Sequence, residues 1–378
     1  MLIGIPKEAD NLESRISVNP ETVKLLTNLG FKVLLESSLG KGLYIHDKVF
    51  ELNGAIICSS HNEILKKSDI VIRVGVSSAK EINLLKKDSL LISFFDPFTN
   101  EKMVQQFVDK SISSISMDMM PRISSAQKMD ALSSQTNLSG YAAVILAANY
   151  YNKILPMMIT AAGTIMPAKI FIIGVGVAGL QAIATAKRLG ADVYAFDTRP
   201  AVEEQVKSLA AKFVKINIGE MNQTKSGHAI ELTPEQLAKQ QELIKKTCAK
   251  SNIIITTAQV FGKKAPLLIT KDTISTMQPG SIIVDMAVAN GGNVEGSKVD
   301  QVIDVNGVQI IAGNRLANKY ALDSTNLYAN NIFSLIEKLI DAQQNKIILD
   351  NKNEIVSSCL VTHNGEIVHT LVKKFLEG

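Results

Sequence analysis

At 378 residues the chain is too long for one ordinary hydrophobic core, and two domains with sizeable interiors are expected. Apolar residues make up 46% and charged residues 20%, a globular balance that excludes a disordered chain. Lys and Arg outnumber Asp and Glu by only 40 to 36, too even for a nucleic-acid-binding surface, so small molecules are the expected ligands.

Cys58, Cys248 and Cys359 are odd in number and far apart, which fits a reducing compartment and buried, inert thiols better than a disulfide framework. MLIGIPKEAD carries no basic segment followed by an apolar run, so no secretory signal is read and a cytoplasmic chain is expected. Between Leu138 and Ala186 the only charges are Lys153 and Lys169. These lysines, Pro156, Gly163 and Pro167 interrupt the run before it reaches the roughly 20 apolar residues of a spanning helix, so a buried centre is expected there.

In chain order, LIGI, NPETVKLLTNLG, FKVLLES, AIICSS, DIVIRV, SLLISFFD and SISSISM alternate strand-like and amphipathic segments, the rhythm of a parallel sheet with helices on its faces. Asn19 before Pro20 marks a helix start and Gly30 a stop. From Ala126 to about Asn152 one long helix is expected, bridging two domains. A second alternating series follows: KIFIIG, a helix to Leu189, DVYAFD, a helix near Val202 to Leu209, KFVKIN, the helix EQLAKQQELIKKTCAK, then NIIITTA, SIIVDMA and VQIIAG. NLYANNIFSLIEKLIDAQQN reads as a return helix, with KIILD, EIVSSCLVT and EIVHTLVKKFL after it. The expected fold is α/β, with two doubly wound, Rossmann-like parallel-sheet domains and a cleft between them. The first domain takes residues 1–130 plus 323–378 and the second residues 131–322.

Gly174-Val175-Gly176-Val177-Ala178-Gly179 follows the strand at Lys169 to Ile173 and opens a helix, and Asp197 closes the next strand. In this fingerprint Gly174 permits the tight turn, Gly176 lets the backbone approach a pyrophosphate, and Gly179 lets the helix lie close to the sheet. Helix N-terminal amides then face the anion. Asp197 would accept from the adenosine ribose hydroxyls and repel a 2′-phosphate, which favours NAD(H) over NADP(H). Arg199 has two readings, a residue that accommodates a phosphate or a solvated turn residue.

A second constellation follows Met117. Arg122 ends a strand region, and Gln127, Asp130 and Ser134 at i, i+3 and i+7 are expected on one helix face with Ser133 beside them. Residue types alone equally allow a capped helix, with Ser124 or Ser125 as N-cap and Asp130 merely exposed.

The run MMPRIS, AQ, MDALSSQ and SGY, with GVGVAGLQAIATAKRLGADVYAFDTRP, TTA, ITKDTISTMQPGSIIVDMAVANGGN and CLVTHNGEIVH, resembles the NAD(H)-binding component of the proton-translocating NAD(P) transhydrogenases over nearly the whole chain. The resemblance implies that Arg122, Gln127 and Asp130 form a loop holding the nicotinamide end, lined by Ile123 and Ser124, with Ser133 on the nicotinamide ribose. Val177, Asp197, Thr198, Arg199 and Gly227 match further dinucleotide contacts. It also implies direct hydride transfer between NADH bound here and NADP+ held by an NADP(H)-binding beta subunit, proton translocation by a membrane-spanning subunit, and a homodimer. With no spanning segment of its own, the chain is expected to be peripheral on the cytoplasmic face of the membrane.

Such a transfer requires orientation and exclusion of water, with no general acid or base and no metal. The five histidines, His46, His61, His228, His363 and His369, make no relay or metal-ligand spacing, and no zinc, iron or P-loop pattern occurs. GIPKEAD and RISVNPETV also resemble alanine dehydrogenases, whose catalytic lysine and histidine match Arg73 and Asp96 here, so the amino-acid chemistry has lost its tools. The polar segment IGEMNQTKSGHAIEL is long for a connection. The resemblance implies a loop that closes on nucleotide, with His228 where a tyrosine is usual, and a surface loop without function is the alternative. Val175 stands where alanine is common and Ser125 where arginine is common.

Overall fold

The computed structural model describes residues 1–215, 233–259, 262–341 and 346–377. They fall into two compact units, Met1–Gln135 with Tyr320–Gly378, and Thr136–Lys319.

In the first unit, β1 (Leu2–Ile5), β2 (Lys32–Glu36), β3 (Ala55–Cys58), β4 (Ile70–Ile72), β5 (Leu90–Ser93) and β6 (Ser113–Ser116) pair in parallel in the order β6-β5-β4-β1-β2-β3. The late strands Leu360–His363 and Glu366–Ile367 extend the sheet antiparallel beyond β6. Successive residues of a strand point to opposite faces, so Ile70 and Ile72 with Leu90 and Ile92 enter one core while Val71 and Leu91 enter the other. Burial on both faces requires near-continuous apolar runs, which DIVIRV and SLLISF supply. The helix Ala321–Leu339 buries Tyr328, Ile332, Leu335 and Ile336 in the first of these cores. Each aliphatic side chain so buried contributes about 1.5–3 kcal/mol relative to exposure.

In the second unit, β7 (Met158–Thr160) and β8 (Gly163–Ile165) form an antiparallel hairpin. The main sheet comprises β9 (Lys169–Ile173), β10 (Asp192–Phe196), β11 (Lys212–Phe213), β12 (Ile253–Thr256), β13 (Ile282–Asp285), β14 (Val302–Val305) and β15 (Val308–Ala312). Its order is β11-β10-β9-β12-β13-β15-β14, parallel except for β14 against β15. Strand order reverses between β9 and β12, the switch point at which open α/β sheets take ligands. Both units therefore have the parallel, Rossmann-like α/β architecture read from the sequence.

Two expectations are corrected. The apolar stretch before β9 is not wholly a buried centre: Met157, Met158, Ile159, Ile165 and Met166 are exposed on the hairpin, where two strands alone cannot cover their own side chains. The long helix does not begin at Ala126. Residues Ser124–Met129 form a 3-10 turn and the α-helix runs Ala131–Tyr150. No helix among the described residues is long and apolar enough to cross a membrane.

Candidate functional site

The glycine fingerprint sits at the carboxyl end of β9 and opens the helix Val177–Arg188. Gly174 holds φ at +96°, a left-handed conformation that bulkier residues rarely adopt. A Cβ on Gly179 would lie 2.0 Å from the carbonyl oxygen of Gly174, so this helix approaches the turn as only glycine allows. Gly176, the N-cap, is different: its Cβ would meet nothing within 4 Å. The space before the helix N-terminus is open, and the first-turn amides, which lack intrahelical acceptors, face it.

Asp197, at the end of β10, is buried, and it does not stand as a bare acid. Its Oδ2 accepts the Val175 amide at 2.7 Å and Arg199 Nη2 at 2.9 Å, while Oδ1 accepts the Arg199 amide at 2.8 Å and Nε at 2.9 Å. Arg199 Nη2 also donates to the Val175 carbonyl at 3.1 Å. Arg199 is therefore no free, solvated turn residue. Its guanidinium is held charged by the hydrogen bonds to Asp197, against partial burial. Thr198 is half-buried between them. Across the switch point, Thr257 Oγ1 donates to the Gly174 carbonyl at 2.9 Å, and the Asn293 side chain grips both the amide and the carbonyl of Ala258. Asp285, fully buried, fixes Asn293 by accepting its amide. Sequence reading quoted these segments and gave Thr257, Asp285 and Asn293 no role.

In the first unit, Arg122, Ile123, Ser124, Gln127, Asp130 and Ser133 lie along one stretch after β6. Arg122, Ser124 and Gln127 are exposed, and among the described residues the side chains of Arg122 and Gln127 have no hydrogen-bonding or ionic partner. Ile123 packs against the core, and Ala126 and Met129 are buried in it, which pins the 3-10 turn. Asp130 ends that turn and caps the following helix: Oδ1 accepts the Ser133 amide at 2.9 Å and Oδ2 the Ser133 hydroxyl at 2.6 Å. Neither Ser124 nor Ser125 is the N-cap. Because Asp130 caps, the expected shared face fails. Gln127 lies on the turn, whereas Ser134 lies on the helix and turns to Asn331 Oδ1 at 2.8 Å. Gly227 and His228 lie outside the described residues.

Arg73, the position matched to a catalytic lysine, is fully buried. It reaches Glu81 Oε1 at 3.1 Å, Glu8 Oε2 at 3.4 Å, Ser77 Oγ at 3.0 Å and the Lys7 carbonyl at 3.1 Å. Glu8 in turn accepts the amides of Val74 and Gly75 at 2.7 and 3.0 Å. Burial pushes the Glu8 carboxyl above its ordinary value, with Arg73 and the two amides opposing it. For Glu81 burial also opposes ionisation, but Arg73 and Ser78 outweigh it and its carboxyl sits below the ordinary range. This arginine is committed to structure. Burial likewise pushes the Cys248 and Cys359 thiols up to about 12, which makes them inert. No group of metal-ligating side chains occurs among the described residues.

The alanine dehydrogenase/PNT N-terminal domain matches residues 4–139 and the corresponding C-terminal domain residues 143–370. An NAD(P) transhydrogenase alpha subunit from Rhodospirillum rubrum is 41% identical over 376 residues, 98% of each chain. The chain belongs to the alanine dehydrogenase/PNT family, among its transhydrogenase alpha subunits. A solved transhydrogenase from Sinorhizobium meliloti is 39% identical, with a TM-score of 0.85 over 98% of this chain and 100% of that one. A solved L-alanine dehydrogenase has a TM-score of 0.82 over 100% of this chain and 99% of that one, but at 22% identity it shows a shared fold alone.

Proposed function

We propose that this family member binds NAD(H) and positions it for direct hydride exchange with NADP(H) held on a partner subunit, the exchange being coupled to proton translocation by a membrane-spanning subunit. The observation that carries the reading is the fingerprint: a left-handed Gly174, a Gly179 crowded against it, and open space at Gly176 before the amides of a helix N-terminus. Those amides and Gly176 receive the pyrophosphate. Asp197 accepts the adenosine ribose hydroxyls, and since Val175 and Arg199 already hold its carboxylate, a hydroxyl displaces one guanidinium bond. Thr198 and Val177 flank that contact.

Arg122 and Gln127, with uncommitted donors, hold the carboxamide and fix the ring's rotamer. Asp130 and Ser133 steady one another and offer their remaining acceptor capacity to the nicotinamide ribose. The bound dinucleotide supplies the hydride. No side chain here is asked for a proton.

The chain would act as a homodimer, docked from the cytoplasm on its membrane-spanning and NADP(H)-binding partners. The hairpin of β7 and β8 supports the dimer, because Ile159 and Met166 are 75% and 71% exposed on an element too small to stand alone. Ile159→Asp should therefore shift the sedimenting species toward monomer.

The test is reduction of an NAD analogue by NADPH when the NADP(H)-binding partner is added. Arg122→Ala should cut transfer on the order of a hundredfold while NADH binding changes little, whereas Asp197→Ala should weaken NADH binding itself about tenfold or more. Equal effects of the two would overturn the assigned roles. Pyruvate- and ammonia-dependent NADH oxidation by the isolated chain would instead favour an alanine dehydrogenase, a reading that the buried Arg73 network argues against.

A further inference from the structure

Asp118 lies in the 3-10 turn Met117–Met119, between β6 and the Arg122 loop, with Met117 and Met120 buried in the core on either side. Its Oδ2 accepts the amides of Phe95 and Asp96, both at 2.9 Å, and the Ser116 hydroxyl at 3.0 Å. The side chain thus ties the carboxyl end of β5 to that of β6. Asp96 is held at φ +29°, a strained conformation for a residue other than glycine, while its amide bonds to Asp118. Burial pushes the Asp118 carboxyl upward despite these bonds. An acid placed so works against folding at neutral pH, and what it provides is the cross-link.

Four residues further on stands Arg122, exposed and without a partner among the described residues. Nothing grips its side chain, so its placement depends on the backbone anchors either side, Asp118 before it and the Asp130 cap after it. We propose that Asp118 is a positioning residue for hydride transfer: by joining the ends of β5 and β6 it fixes the backbone from which Arg122 reaches the nicotinamide. This rests on the role given to Arg122 above. Asp118→Ala leaves two amides without their acceptor and lets the turn relax, and a displacement of about 1 Å in such an anchor can cost on the order of a hundredfold in rate.

The experiment uses the full chain with its NADP(H)-binding partner, reading kcat for NAD-analogue reduction and, separately, NADH affinity from nucleotide fluorescence. Asp118→Ala should lower kcat about ten- to a hundredfold with NADH affinity changed less than about threefold. Asp118→Asn, which keeps an oxygen for the three donors, should restore kcat to within about threefold of wild type. Should the alanine variant fail to fold, Asp118→Glu replaces it: the charge stays, the carboxylate moves by one methylene, and kcat should fall below that of Asp118→Asn. Wild-type kcat in Asp118→Ala, equal losses of kcat and affinity, or a glutamate variant better than the asparagine variant would each overturn the proposal. Arg122→Ala in the same assay separates the two claims. If it lowers kcat and Asp118→Ala does not, positioning fails alone; if it leaves kcat untouched, the role of Arg122 fails and the proposal with it.

Discussion

Gly176 and Gly179 are three residues apart in one turn, and alanine at each should fail in a different way. At Gly179 the new methyl would lie 2.0 Å from the Gly174 carbonyl oxygen and 3.0 Å from its carbon, both backbone atoms. A carbon–oxygen contact needs about 3.3 Å, so helix and turn must part by more than about 1 Å. Overpacking of this kind costs about 1–3 kcal/mol, and with backbone on both sides the upper end applies. For a unit of about 180 residues that lowers Tm by roughly 6–12 °C. At Gly176, by contrast, φ is −84° and nothing lies within 4 Å, so Gly176→Ala should leave Tm unchanged to within about 1 °C. The methyl then stands where the pyrophosphate must come, and NADH affinity should fall at least about tenfold, or about 1.4 kcal/mol. Calorimetric melting and NADH titration of both variants test this. A Gly176→Ala chain that binds NADH like the wild type would refute the placement of the nucleotide, whatever Gly179→Ala does.

Arg73→Met should destabilise the chain by about 3–5 kcal/mol in denaturant titration, because it strands the carboxylates of Glu8 and Glu81 in a buried place; a loss below about 1 kcal/mol would mean those acids find other partners. A pH series on Asp118→Asn has a defined sign. The folded chain holds the Asp118 proton more tightly than the unfolded chain, so the residue favours folding below its ordinary value of 3.8 and loses that contribution as pH rises through its raised value. The variant should therefore gain Tm relative to wild type between about pH 4 and pH 7, and a gap that narrows over that range would contradict the burial argument.

The central strands were legible because a sheet covered on both faces needs runs such as DIVIRV, KIFII and NIIIT, whose apolar residues show no gaps. The hairpin of β7 and β8 was not, since ILPMMITAAGTIMP has the composition of an interior and nothing local says that its side chains stay outside. β14 could have been found: VIDVNGVQII carries an Asn-Gly turn between alternating strands, and Asn306 and Gly307 take the positive φ values of 55° and 83° that such a turn requires. At the second constellation, spacing suggested a continuous helix face because Asp130 fits a helix interior and a cap equally well by type, and only its bonds to Ser133 decide. Asp118 offered one signal, an acid between methionines that are themselves buried, while the partners that give it meaning come from β5, more than 20 residues away.

The guanidinium resting on Asp197 bears on how two nearly identical coenzymes are told apart. On the proposed reading, an approaching nucleotide first meets a neutralised pair, so a 2′-phosphate is not turned away at the door. Discrimination begins only after Arg199 has yielded one of its bonds and the carboxylate faces the ribose. NADP(H) and NAD(H) should thus arrive at similar rates and leave at very different ones, which places selectivity in residence time.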